Sequence, residues 1–184
     1  SKYTNNAQPQ CANGIVWTLG STECVPAGTV IRIQTSALVA NVGTVTGSGF
    51  GLSSGGDQVI VYTGTAAAPN YITALSSNGW VASNTTCGGS LSMIPAGLTD
   101  GITSLNTSTA PGNDNGNAVN AFYNGTQTGT PAELRTAILN PANWIAVNGG
   151  TAPQVWPTWN FPSTIRVQNA IVINNTSIAI KFSQ

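Results

Sequence analysis

Residues 49–62 constrain the fold more than any other stretch of this chain. Phe50 and Leu52 alternate with small residues, Ser53, Ser54, Gly55, Gly56 and Asp57 supply a reversal, and Val59 and Val61 resume a period of two. The pattern predicts a β-hairpin. Ile60 and Tyr62 make the other face of the second strand apolar as well, which predicts a central strand covered on both sides. Each fully buried Val, Ile or Phe stabilises by roughly 1.5–3 kcal/mol. A core can gather here, although nothing in the stretch does chemistry.

What surrounds that core is unusual. Of 184 residues only five are Lys or Arg and five Asp or Glu, so Ser, Thr, Asn and Gly must solvate the surface with hydroxyls and amides. The length suits one domain with a sizeable core. Lys2, Arg32, Arg135, Arg166 and Lys181 are scattered, whereas phosphate binding needs clustered cations, which argues against nucleic acid and against a charged lipid surface. No window approaches the roughly twenty apolar residues of a membrane span, and the first residues lack the charged start and apolar run of a signal peptide. Scarcity of Lys and Glu is common among exported proteins of surface layers, fibres and adhesins. The expectation is therefore an extracellular or cell-surface protein whose signal peptide has been removed.

Cysteine usage points the same way. Cys11 and Cys24 flank the β-like segment Ile15-Val16-Trp17-Thr18-Leu19, and a disulfide between them would be worth about 3 kcal/mol in the chain-entropy model. Cys87 is left as a buried free thiol, as the partner of Cys11 or Cys24 instead, or as a bond to another chain. Three cysteines without histidine or C-x-x-C spacing make a poor zinc cage.

In chain order, residues 1–13 form a polar arm and residues 14–184 one domain, with a loop and helix insertion at about 81–147. Strands are expected at residues 14–19 and 25–33, loosely within 35–48, and at 71–75. Residues 64–70 read as a loop of small residues around Pro69. Residues 81–129 promise long irregular connections with few strands. A helix over about 131–140 is announced by Thr130-Pro131-Ala132-Glu133, a capping box with proline at the first helical position. Leu134, Ala137 and Ile138 form its apolar stripe, and Asn140-Pro141 stops it. Trp144-Ile145-Ala146-Val147 is a buried run. After a loop rich in Pro and Trp, residues 164–167 and 170–173 lead through Asn174-Asn175 to a last strand in which Ile178, Ile180 and Phe182 alternate. Many β segments and one helix imply a mainly β fold, an immunoglobulin-like or related sandwich with one short helix and long irregular loops.

Two blocks, Val25-Pro26-Ala27-Gly28-Thr29-Val30-Ile31-Arg32-Ile33 and Gly51-Leu52-Ser53-Ser54-Gly55-Gly56-Asp57-Gln58-Val59-Ile60-Val61-Tyr62, resemble the lamin-tail-like domains, which are immunoglobulin-like sandwiches. Gly64-Thr65-Ala66, Asn78-Gly79-Trp80, Pro95-Ala96-Gly97-Leu98-Thr99-Asp100-Gly101, Phe122-Tyr123-Asn124-Gly125 and residues 130–144 extend the similarity to secreted bacterial surface proteins that carry related domains. The resemblance covers roughly residues 15–147. It implies a strand or two upstream of Ile15, close to where this chain starts. Either residues 1–10 supply a short substitute or the sandwich keeps an open edge, and an open edge is a template for pairing with another chain.

Catalysis finds little support. Without histidine, Ser-His-Asp, Cys-His and ordinary zinc hydrolysis are excluded. Paired carboxylates could hydrolyse a glycoside, but Glu23, Asp57, Asp100, Asp114 and Glu133 each have a local structural reason to exist. Asn113, Asp114, Asn115 and Asn117 alternate like oxygen ligands for Ca²⁺, with one carboxylate and hence weak affinity; a plain Asn/Gly turn explains them as well. Trp156, Trp159 and Phe161 could present rings to a polysaccharide or a protein, or plug the core under a Pro-stiffened loop. Sequons for glycosylation begin at Asn84, Asn106, Asn124, Asn174 and Asn175. The expected function is a non-enzymatic secreted structural subunit without cofactor. It would self-assemble into an extracellular filament or surface layer by β-strand addition, probed against the alternative of a carbohydrate-binding or adhesive module.

Overall fold

The computed structural model describes residues 14–48, 56–83, 91–113, 120–147 and 156–161, together with the backbone of strand residues 2–3, 9–10, 166–174 and 177–183. The chain is mainly β with one α-helix. Strands β1 (Lys2–Tyr3) and β2 (Pro9–Gln10) pair with each other, as do β3 (Ile15–Thr18) with β6 (Thr44–Gly47), and β4 (Ile33–Gln34) with β5 (Val39–Ala40). A three-stranded sheet follows, formed by β7 (Gln58–Thr65), β8 (Ala68–Ser76) and β9 (Ser104–Asn106) in that spatial order. β10 (Asn120–Tyr123) pairs with β11 (Trp144–Val147) across the helix α1 (Pro131–Leu139), and β12 (Arg166–Asn174) with β13 (Ser177–Ser183).

Several expectations are corrected here. Residues 49–55 lie outside the described residues, so of the hairpin expected over 49–62 only the second strand is described, and β7 makes a hairpin with the strand after it. The stretch read as a loop around Pro69 is the tip of that hairpin: Thr65 pairs with Ala68 and Gly64 with Pro69, while the Thr65 hydroxyl accepts the Ala68 amide at 3.2 Å. Proline is tolerated because β9 reaches only Ala74, Leu75 and Ser76, so the start of β8 is an edge where no ladder donor is needed. Nor is β7 central. In the described sheet β8 holds the middle, paired antiparallel to β7 and parallel to β9. Residues 25–32 are not a strand either. Pro26 and Gly28 close a turn, with the Thr29 amide on the Pro26 carbonyl at 3.1 Å, and the Arg32 amide is taken by the Asn41 side chain at 2.7 Å.

The core begins at the cross-strand pair Ile60 and Ala74, with Tyr62, Tyr71, Trp80, Met93 and Leu98 packed around it. Strict alternation along β8 would bury Ile72 and expose Tyr71. Instead Val61 pairs with Thr73 and Tyr62 with Tyr71, leaving Ile72 as an extra residue. This one-residue bulge turns Tyr71 inward, edge-on to Tyr62 at 6.3 Å, and leaves Ile72 55% exposed beside Val61 at 42%.

Helix α1 forms where its cap predicts. The Thr130 hydroxyl accepts the Glu133 amide, and the Glu133 carboxylate accepts the Thr130 amide at 2.8 Å and its hydroxyl at 2.9 Å. Those bonds hold the Glu133 carboxyl below its ordinary pKa, the backbone amide contributing most. At the other end the Asn143 side-chain Nδ2 donates to the Ala137 carbonyl at 2.9 Å and the Trp144 indole to the Ile138 carbonyl at 2.7 Å. Orphan carbonyls of the last turn are thereby satisfied. Leu134 is buried as expected, Leu139 joins it, and the helix lies against β9.

Candidate functional site

Two features stand out once the strands are placed: an aromatic assembly around Tyr123 and a buried polar network beside the core. Tyr123 and Trp144 are register partners in the β10–β11 pair, and their rings meet edge to face at 5.5 Å. The Tyr123 hydroxyl donates to the Thr126 carbonyl at 2.7 Å, and burial raises its pKa. Trp159 closes on the same ring at 5.3 Å. Its segment is strapped down by backbone: the Gly129 amide donates to the Asn160 carbonyl at 3.1 Å, the Asn160 amide to the Gln127 carbonyl at 2.8 Å, and the Thr158 amide to the Gln127 side chain at 2.6 Å.

The turn at Gly28 seals this arrangement. Gly28 has φ +85°, and a Cβ there would stand 2.5 Å from a Phe161 ring carbon and 3.2 Å from the Trp159 Cβ. Trp159 and Phe161 are therefore half-buried packing residues. Trp156 differs: its ring is 49% exposed, and the Arg32 guanidinium lies 5.5 Å from its centroid. Sequence alone pointed to the three aromatics of residues 156–161 but missed Arg32 and Tyr123, which are brought to Trp156 and Trp159 from two other segments, and Trp144, which packs on Tyr123.

The polar network is the other feature. Gln58, Ser76, Ser92, Ser104 and Thr107 are all buried. Gln58 donates to the Asn78 side chain at 2.5 Å, the Ser76 hydroxyl to the Gly79 carbonyl at 2.7 Å, and the Thr107 hydroxyl to the Ser76 carbonyl at 3.3 Å. Asn113 adds two bonds from its amide nitrogen, to the Thr107 carbonyl at 2.9 Å and the Ser77 carbonyl at 3.4 Å. Its nitrogen thus ties loops together, while its buried oxygen has no hydrogen-bond partner among the described residues. Asp114, Asn115 and Asn117 lie outside those residues.

The remaining candidates are dispersed. Cys24 is exposed with a free thiol, and Cys11 and Cys87 lie outside the described residues. Asn106 uses its side chain to accept the Ser108 amide at 3.0 Å at the start of a 3-10 turn, and Asn124 is exposed at the end of β10. Asn84 and Asn175 are outside the described residues, and Asn174 is described only as the last residue of β12. Glu23 accepts the Gly20 amide at 2.7 Å, Glu133 caps α1, and Asp100 is exposed beside its bridge to Ser104. Among the described residues no three His, Cys, Asp or Glu side chains gather as a metal site. No helix of the described residues is long and apolar enough to cross a membrane. No family model, curated protein or solved structure matches the chain.

Proposed function

We propose that this chain is a non-enzymatic, secreted structural subunit whose copies assemble into an extracellular filament or surface layer by β-strand addition, on an immunoglobulin-like, lamin-tail-like framework. One observation carries the reading. β7 is eight residues long, Gln-Val-Ile-Val-Tyr-Thr-Gly-Thr, and has a ladder partner on one side only in the described sheet. Edge strands are ordinarily protected by charge, by proline or by shortness. β7 has none of these, and it carries the exposed Val61. Strand β1 of the arm lies close to β7 without joining its ladder.

The alternative, a carbohydrate-binding or adhesive module, draws on Trp156. It is weaker because Trp159 and Phe161 are spent on packing, which leaves one exposed ring rather than a platform.

Light scattering and negative-stain imaging of the natively isolated protein, with and without reductant, test the proposal. Regular polymers that disappear in Val61→Lys are expected, because a charge at an open edge blocks pairing while an exposed position tolerates it. A monodisperse particle of 18.7 kDa under all conditions overturns it.

A further inference from the structure

Directly after β10, Asn124-Gly125-Thr126 has the Asn-x-Thr spacing of an acceptor for N-linked sugar. Asn106-Thr107-Ser108, at the end of β9, has the same spacing with serine. Spacing does not tell the two apart, but the work done by each carboxamide does. The Asn106 side-chain oxygen accepts the Ser108 amide at 3.0 Å, inside the motif itself. Thr107 between them is 1% exposed, with its hydroxyl on the Ser76 carbonyl at 3.3 Å. Presenting Asn106 to an enzyme means breaking those bonds and pulling Thr107 out of the buried polar network.

Asn124 is the reverse case. Its backbone is fixed: the Asn124 amide donates to the Asn143 carbonyl at 2.7 Å, and the Thr126 carbonyl accepts the Tyr123 hydroxyl at 2.7 Å. Gly125 faces inward, where a Cβ would stand 2.5 Å from the Tyr123 Oη and 2.8 Å from the Asn143 Cβ. The two side chains that an acceptor motif must offer are on the outside. Asn124 and Thr126 are both exposed, and the Asn124 carboxamide makes no hydrogen bond to a described residue. The Thr126 hydroxyl is engaged only by its near neighbour, donating to the Thr128 carbonyl at 3.1 Å and accepting the Thr128 amide at 3.5 Å.

We infer that Asn124 carries an N-linked glycan and that Asn106 does not. The inference rests on the secreted part of the proposed function, since this sugar is added to chains on their way out of the cytoplasm. The co-reactant is a glycan joined through its C1 to a polyprenyl diphosphate. The Asn124 Nδ2 attacks C1, the C1–O bond breaks with its electron pair leaving on the diphosphate, and Nδ2 gives one proton to a base of the transferase. The product is a bulky hydrated group on a surface with only five positive and five negative side chains.

The test is glycopeptide mapping of the full chain by mass spectrometry, on protein isolated from the cells that make it and fractionated into cytoplasm, cell surface and medium. Sugar on Asn124 and a bare Asn106 are expected in the exported fraction. In the same host Thr126→Val should abolish the modification, because it removes the hydroxyl that the motif requires, and Thr126→Ser should keep it. Exported protein with a bare Asn124 overturns the inference and leaves the proposed function standing. A glycan on Asn106, with or without one on Asn124, overturns it as well, since burial of Thr107 then selects nothing. A glycan on Asn124 that survives Thr126→Val overturns it too, because the motif is then not what is read. Protein confined to the cytoplasm overturns the secreted reading, and the inference with it.

Discussion

The Tyr123 ring stands 5.3 Å from Trp159, inclined at 51°, and joins a segment near the C-terminal end of the described core to the β10–β11 pair. Because Trp159 is half-buried, Trp159→Ala should lose about 2 kcal/mol, below the range for a fully buried aromatic. Tyr123→Phe should lose about 1 kcal/mol by stripping the bond to Thr126. Urea midpoints of the two variants check both values, and near-UV circular dichroism should fall in the first far more than in the second.

At Gly28 backbone conformation and space both call for glycine. Gly28→Ala places a Cβ against Phe161 at positive φ, and a cost of about 1–2 kcal/mol from the backbone alone is expected. Neighbouring Ala27→Gly serves as the reference in the same urea series, with a much smaller effect.

Asn113 supports carbonyls of two segments. Asn113→Ala should destabilise by about 1–3 kcal/mol, because the Thr107 and Ser77 carbonyls lose a donor. A double-mutant cycle with Thr107→Val should show coupling, as the Thr107 hydroxyl holds the Ser76 carbonyl of the same network.

Glu133 predicts a pH dependence. Its pKa in the folded chain lies below the ordinary value, so the carboxylate stabilises the fold above the unfolded pKa of about 4.3 and that contribution is lost as pH falls through the lower folded value. Thermal unfolding of Glu133→Gln should therefore approach that of the wild type at acid pH and fall behind it at neutral pH. Equal differences at both would show that the carboxylate charge is not involved.

Cys24 is exposed and free, so native-state alkylation without reductant should label it at once. Labelling only after reduction would place Cys24 in a disulfide, with Cys11 or Cys87 as its partner.

What the sequence alone determined is local. The cap at Thr130 and Glu133 closes within four residues, so α1 was legible to within one residue of its end. The alternation of Ile178, Ile180 and Phe182 needs no partner to be read, and it emerged as β13. The mainly β class follows from the same short-range patterns. What the tertiary structure decided is register and docking. A bulge at Ile72 sets which of Tyr71 and Ile72 packs on the core, and shifts between Val167 and Asn169 and between Val172 and Asn174 set the register of β12 on β13. The parallel pairing of β8 with β9 joins segments distant in the chain, and Gly28 and Tyr123 meet residues 156–161 only in space. The physical reason is common to all of these. A one-residue slip flips every side chain of a strand to the other face, and its energy depends on what waits across the sheet, which no local stretch of sequence contains.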